Sequence, residues 1–345
     1  MLYRDITFID KDYNLILGDI EIENGMVTSI IKKGEGTENA ILPPFIDIHI
    51  HGGYGVDIMT GSSSEIIYLS KKLYEDNVGA YMPTTVAKSY SEILTSAKEI
   101  YFASKNKDYA EILGIHIEGP FISKKYKGIM EENYITPCNI KLYEDLKNIV
   151  GDLKIRFTVA PETEGAEEFT EYVVKNGDFV SIGHSGGTVK DCERLAARGA
   201  SSYTHLFNAM SPVHHRNMGV AGAGLMDNGF VEVICDFVHL SEDCVRLITR
   251  LKEDKIILIT DAMEAMGCNR GSYVFCGKNV IVDDCSVRDD TGRLAGSILT
   301  MKKAVSNMSK IVGLKSALKM AAENPSKLLN LKKYGYMDIG KRIII

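Results

Sequence analysis

The sequence predicts an α/β fold, a (β/α)8 barrel carrying a small β-sandwich unit built from both chain ends. Three observations predict it. Eight short apolar runs recur between residues 45 and 263, separated by segments of helix length and amphipathic pattern. The first forty residues and the tail DIGKRIII read as strands outside that rhythm. Nearly every histidine, with two carboxylates, falls at the C-terminal end of one of the eight runs, which in a closed barrel is the mouth where active sites are built.

The N-terminal unit is clearest in IEIENGMVTSII, where apolar residues alternate on both sides of Asn24-Gly25. That dipeptide suits a type I′ hairpin turn, which needs positive φ at both central residues. From Phe45 the runs are FIDIHIHG (45–52), AYMPTT (80–85), EILGIHIEGPF (111–121), KIRFTVAPE (154–162), DFVSIGHS (178–185), SSYTHLFN (201–208), VEVICDFVHL (231–240) and KIILITDAM (255–263). Between the first two lies SSSEIIYLSKKLYEDNVG, whose Ile66, Leu69 and Leu73 recur at helical spacing and whose Gly79 is read as the stop. An open doubly wound sheet is the competing architecture, but HGGYG follows two histidines and lacks the GxGxxG spacing of a phosphate turn. Short β-like runs between Gly271 and Leu294 suggest a hairpin insertion after the eighth strand, and the apolar tail is expected to add a strand to the N-terminal unit. The expected division is residues 1–42 with 331–345 for the small unit and 43–330 for the barrel, the insertion falling at about 271–294.

A chain of 345 residues can bury a large core, since a barrel takes ~250 residues as one domain. Hydrophobic residues at 45% and charged residues at 25% argue against disorder and coiled coil, and the net charge of -6 argues against a nucleic-acid surface. No apolar stretch approaches the ~18 residues of a membrane span, and the N-terminus MLYRDITFID carries acids where a signal peptide would be apolar. A cytoplasmic protein with no membrane partner is the expectation. Seven scattered cysteines without a CxxC pair fit reduced thiols.

On the first strand Ile46, Ile48 and Ile50 alternate with Asp47, His49 and His51, which turns both histidines toward the barrel axis. Two imidazoles on one face can bind one metal ion, although such pairs also occur on exposed strands. His184 in SIGHS, His205 in THLFN and Glu118 in HIEGP end other strands in the same way, completing a nitrogen and oxygen donor set suited to Zn²⁺ or Fe²⁺. Asp261 in ITDAM can bind metal or relay the proton of an activated water, and its bland reading is a helix N-cap. His116 shares a face with Glu118 one layer deeper, which suits an orienting or core role. In FNAMSPVHHRNMGVAG, Arg216, the Asn208 amide and backbone donors near Ala209 can grip an anion, against the alternative of a solvated basic turn. His214 and His215 read as loop residues, with His215 placed on the substrate side. Four histidines and two acids already fill two metal positions, so His239 in DFVHL is assigned to substrate.

PxFIDIHIHGGYG, GIHIEGPF, SIGHS, THLFNAMSP, DFVHL, LITDAM and LAGS, in this order and spacing, resemble the N-acetylglucosamine-6-phosphate deacetylases of the amidohydrolase superfamily. The resemblance runs from about Pro43 to Leu329. It implies a homodimer, with Glu118, His184 and His205 holding one divalent ion, Asp261 as catalytic acid/base, and Asn208, Ala209, Arg216 and His239 around a sugar phosphate. Because His49 and His51 are present, a second ion bridged by Glu118 is expected, giving one or two per chain. Four departures stand out: Met130 replaces a histidine common in the family, Asn217-Met218 replaces Glu-Pro, Pro44 replaces glycine, and the chain stops early at Ile345.

The implied reaction is hydrolysis of N-acetyl-D-glucosamine 6-phosphate to D-glucosamine 6-phosphate and acetate, with metal-bound hydroxide as nucleophile and Asp261 moving the proton. The rivals are a deacetylase of N-acetylgalactosamine 6-phosphate, another amidohydrolase reaction, and a barrel scaffold that has lost catalysis.

Overall fold

The computed structural model describes residues 1–37, 39–252 and 254–344. Its centre is a parallel barrel whose eight strands follow chain order around the axis: Phe45–Ile50, Val78–Thr85, Gly114–Glu118, Lys154–Val159, Phe179–Ile182, Ser202–Tyr203, Phe230–Ile234 and Ile256–Ile259. A two-residue strand, Glu111–Ile112, pairs beside the second. Closure between the eighth and first strands comes just above their ladders. Asp261 N–H donates to His49 O at 2.9 Å, His51 N–H to Ala262 O at 2.8 Å, and Thr260 Oγ1 to the Asp47 carboxylate at 2.6 Å.

Every residue of the first two strands is buried, as expected where helices cover the outside and side chains fill the inside. The first helix, Ser63–Glu75, shows how the covering layer forms. Ser62 and Glu65 make a reciprocal capping box, and Ile66, Leu69 and Leu73 turn inward at the expected spacing. Its stop differs from the one read in the sequence. Asn77 takes the left-handed turn at φ 64°, while Gly79 lies inside the second strand, where a Cβ would come within 2.5 Å of the Pro44 ring. The glycine serves close packing on Pro44, and the asparagine reverses the chain.

Two other runs are shorter as strands than they read. The sixth ends at Tyr203 because His205, Phe207 and Ala209 all have positive φ, which extended backbone does not allow. The seventh ends at Ile234 because the Asp236 carboxylate accepts from the N–H groups of Val238 and His239 at 2.8 Å and folds the chain into a turn.

The N-terminal unit is an antiparallel sheet of Leu2–Ile9, Leu15–Glu23 and Met26–Glu35, with Asn24 at φ 51° and Gly25 at φ 73° in the hairpin turn. Phe8, Ile20 and Val27 pack there against Met337 and Ile343 from the chain's other end. The tail adds one antiparallel bridge, Met26 to Arg342, where a strand was expected. Arg342 N–H is spent on Lys333 O at 2.7 Å and Gly340 turns at φ 78°, so no ladder propagates. Ile345 lies outside the described residues. After the eighth strand, Gly271–Phe275, Lys278–Val282 and Val287–Asp289 form a three-stranded antiparallel sheet where the insertion was expected. All seven cysteines are free thiols, and among the described residues no helix is long and apolar enough to cross a membrane.

Candidate metal centre and its cavity

Six side chains from five barrel strands or the turns just beyond them meet at the C-terminal mouth. His49 lies within the first strand and His51 just past it, and Glu118 ends the third. His184, His205 and Asp261 each sit two residues beyond the fifth, sixth and eighth strands, with φ of 48°, 30° and 51°. Left-handed backbone at three non-glycine residues costs on the order of 1–3 kcal/mol each, and here it turns three side chains toward one point above the axis. Gly183 permits the first of these turns, because a Cβ there would meet Thr204 and Thr158 at 2.7 and 2.8 Å.

Glu118 lies between two imidazole pairs. Its Oε1 is 2.9 Å from His205 Nε2 and 3.2 Å from His184 Nε2, while its Oε2 is 3.2 Å from His51 Nε2. Asp261 Oδ1 stands 3.1 Å from His51 Nε2 and 3.3 Å from His49 Nε2. Two overlapping donor triads result, His49/His51/Glu118 and Glu118/His184/His205, the donor atoms of each within 4.8 Å of one another.

The outer ring nitrogens show that these imidazoles suit a cation. His49 Nδ1 faces the Glu232 carboxylate at 3.2 Å, His51 Nδ1 the Thr84 carbonyl at 3.2 Å, and His184 Nδ1 the Tyr126 carbonyl at 2.7 Å. Carboxylate and carbonyl oxygens only accept, so each of these Nδ1 atoms carries a proton and each ring turns its Nε2 inward. The Nε2 atoms face each other at 3.2 Å in the His49/His51 pair and at 3.1 Å in the His184/His205 pair, while His205 Nδ1 is buried without a hydrogen-bond partner among the described residues. Two unprotonated nitrogens at that distance would repel, so each pair needs a proton or a metal ion between or beside its members.

The charges of the cluster are mutually dependent. Burial opposes charge on all of these groups, yet Glu118 and Asp261 hold His49 well above the ordinary imidazole range and His51 up to about 9. Against the same burial, His49 holds Glu118 well below the carboxylate range, helped by His184, and lowers Asp261 together with His51. A divalent ion held by a set of this composition would take the place of those shared protons. His116 is absent from both triads. It is wholly buried, bonded to Thr158 Oγ1 at 2.8 Å, and burial drives it well below the ordinary range.

Below the donors lies a polar layer that the sequence reading missed. Glu232 on the seventh strand is fully buried, pairs with the Arg156 guanidinium from the fourth, and accepts from His205 N–H at 3.2 Å. Ser181, Thr204, Thr158 and His116 continue the layer as a hydrogen-bonded chain with links of 2.8 Å. The available signal was an arginine and a glutamate at inward positions of otherwise apolar runs.

The donors open into a cavity of about 590 Å³. Asn208, Ala209 and His239 line it, and His239 Nδ1 is held 2.6 Å from the Asp236 carboxylate. Met130 lines it as well, and so do Lys127 and Arg293, which the sequence reading did not single out. Arg216 and His215 are not among its lining residues. Both are exposed on a turn closed by reciprocal backbone bonds between His214 and Asn217, with Arg216 Nη1 2.7 Å from His215 Nε2.

An α/β barrel with a histidine and carboxylate cluster at the C-terminal mouth defines the class of metal-dependent barrel hydrolases. Residues 40–343 match the Amidohydrolase family, and the chain belongs to it. It is 33% identical to an N-acetylglucosamine-6-phosphate deacetylase of Lysinibacillus sphaericus over 99% of this chain and 91% of that one. It is 31% identical to an N-acetylgalactosamine-6-phosphate deacetylase of Escherichia coli O157:H7 over 86% of this chain and 81% of that one. The crystal structure of an N-acetylglucosamine-6-phosphate deacetylase from Thermotoga maritima superimposes with a TM-score of 0.91 at 32% identity, covering 99% of this chain and 93% of that one.

Proposed function

We propose that this protein hydrolyses N-acetyl-D-glucosamine 6-phosphate to D-glucosamine 6-phosphate and acetate. The observation that carries this reading is Glu118 set between two imidazole pairs at the floor of a cavity also lined by Asn208, Ala209 and His239. The end-to-end similarity to deacetylases of that substrate supports it.

Glu118, His184 and His205 would hold one divalent ion, and His49, His51 and Glu118 a second, with Asp261 at its edge; zinc and iron suit these donors. A bound ion supplies Lewis acidity at the amide carbonyl and brings the pKa of water near neutrality. Asp261 takes the proton of the attacking water and delivers it to the sugar nitrogen as the C–N bond breaks. The Asn208 side chain and the Ala209 backbone grip the phosphate, so binding at the unreactive end positions the acetamide. His239, oriented by Asp236, holds the sugar. Arg216 and His215 do not line their own cavity and would serve the partner's in a homodimer. Residues 1–42 with 331–345 form the small unit beside a catalytic barrel of 43–330, and the protein works in the cytoplasm.

The test is metal analysis of protein purified without added metal, followed by acetate release from both hexosamine phosphates. Release from N-acetylglucosamine 6-phosphate is expected. Release from the galactosamine epimer alone would transfer the reading to the second relative's reaction, and release from neither by metal-loaded protein would overturn it.

A further inference from the structure

We propose that the apolar wall formed by Val86, Met130, Phe275, Cys276 and Ala295 is the acyl subsite of this centre and restricts hydrolysis to short N-acyl groups, acetyl above all. The inference rests on the deacetylase reading and adds which part of the substrate this wall reads.

The order of strands around the barrel sets the direction. Val86 directly follows the second strand, whereas Asn208 and Ala209 follow the sixth, four places further round an eight-stranded ring. The two groups therefore face each other across the mouth, with the donors between them. An amide carbon carries the sugar nitrogen on one side and the acyl chain on the other. With the carbonyl over the donors and the phosphate arm toward Asn208 and Ala209, the acyl chain is left facing Val86 and its neighbours.

That wall is suited to a small apolar group. Its five residues line the same cavity as His51, Glu118 and Asp261, yet each is at most 7% exposed. The Phe275 ring meets the His51 ring at an angle, with centroids 5.5 Å apart, so the wall begins directly beside the donors. Met130 is tethered, its sulfur accepting Ala87 N–H at 3.4 Å. Behind the wall lie Ile122, Met263, Val280, Val282 and Val287, all buried in one cluster that joins the insertion sheet to the barrel. A wall backed by close-packed side chains yields poorly to added volume, so each methylene beyond acetyl should lower kcat/KM on the order of tenfold.

The experiment compares N-acetyl-, N-propionyl- and N-butyrylglucosamine 6-phosphate with the metal-loaded protein and with Phe275→Leu, Met130→Ala and Val86→Ala. The wild-type chain should fall at each step, and at least one truncation should raise the propionyl-to-acetyl and butyryl-to-acetyl ratios by an order of magnitude. Both rates come from one preparation, so the ratio does not depend on the fraction that folds. A residue that only supports the fold would lower all three rates alike. A flat wild-type series, or ratios that no truncation moves while acetyl turnover persists, would overturn the acyl subsite and leave the deacetylase reading intact. Absence of turnover on all three substrates would overturn both.

Discussion

Glu232 and His49 meet 3.2 Å apart beneath the candidate metal centre, both side chains wholly buried, with the Arg156 guanidinium on the far side of the carboxylate. The carboxylate fixes the proton on His49 Nδ1 and so aims Nε2 at Glu118 and Asp261. Glu232→Gln should therefore weaken the ion held by His49 and His51 by roughly 10- to 100-fold, the usual scale for removing a group that orients a ligand. The Glu118/His184/His205 ion should stay. Calorimetric titration of the apo-protein reads both, and two unchanged affinities would refute the role. The variant also leaves Arg156 buried without a counter-charge, so its melting temperature should drop, and Arg156→Met in the same chain should restore much of it.

Substitution of Asp261 can separate proton transfer from metal binding. Asp261→Asn preserves shape and one oxygen but cannot take a proton from water. Turnover should fall by at least ~10², the scale of a lost general acid/base, while the ion at His184 and His205 remains. Metal content and single-turnover rate on one preparation decide the matter; near-normal turnover with metal bound would exclude the shuttle. His184→Asn or His205→Asn should instead lose metal and activity together.

The barrel was legible because buried parallel strands read as nearly continuous apolar runs, and the cluster of histidines and carboxylates was legible because each lies at or near the end of such a run. The ends of the strands were not. Positive φ at His205, Phe207 and Ala209 depends on tertiary contacts, and nothing in SSYTHLFN announces it. Arg156 and Glu232 escaped for a related reason, since each looks like one polar residue in a strand until closure of the ring brings the fourth and seventh strands' side chains together. Arg216 was read as an anion-binding residue from its type alone, and the structure leaves it exposed and outside the lining of its own chain's cavity.

Acid should loosen the N-terminal sheet through Asp10. Burial raises the pKa of this carboxylate, but the Lys32 ammonium at 2.5 Å and the N–H groups of Asn14 and Asp12 at 2.9 and 3.0 Å outweigh it and leave the folded value below the ordinary 3.8. A depressed folded value means that the ionised form contributes stability above the unfolded pKa, and that this contribution fades as pH falls through the folded one. Thermal melts from pH 7 down to 3 should show Asp10→Asn destabilised at neutral pH, with the gap to wild type closing below about pH 4. A gap that stays constant with pH would assign the loss to packing.

Arg216 provides the test of assembly. Its guanidinium is exposed beside His215 and does not line its own cavity, so an effect on phosphate recognition requires a second chain to present it. Arg216→Ala should lower kcat/KM for the 6-phosphate sugar on the order of tenfold or more, and spare the slow turnover of unphosphorylated N-acetylglucosamine, because only the phosphate loses a charge-assisted pair. Mixing then separates action within a chain from action across a dimer. Arg216→Ala chains keep Asp261 but lack the arginine, and Asp261→Asn chains keep the arginine but lack the shuttle. If Arg216 reaches across a two-fold interface, random re-association of equal amounts should make about a quarter of the sites complete, and activity on the phosphorylated sugar should rise above that of either variant alone. An arginine acting within its own chain completes no site in any mixture, so activity fixed at the average of the two variants would place Arg216 outside the partner's cavity.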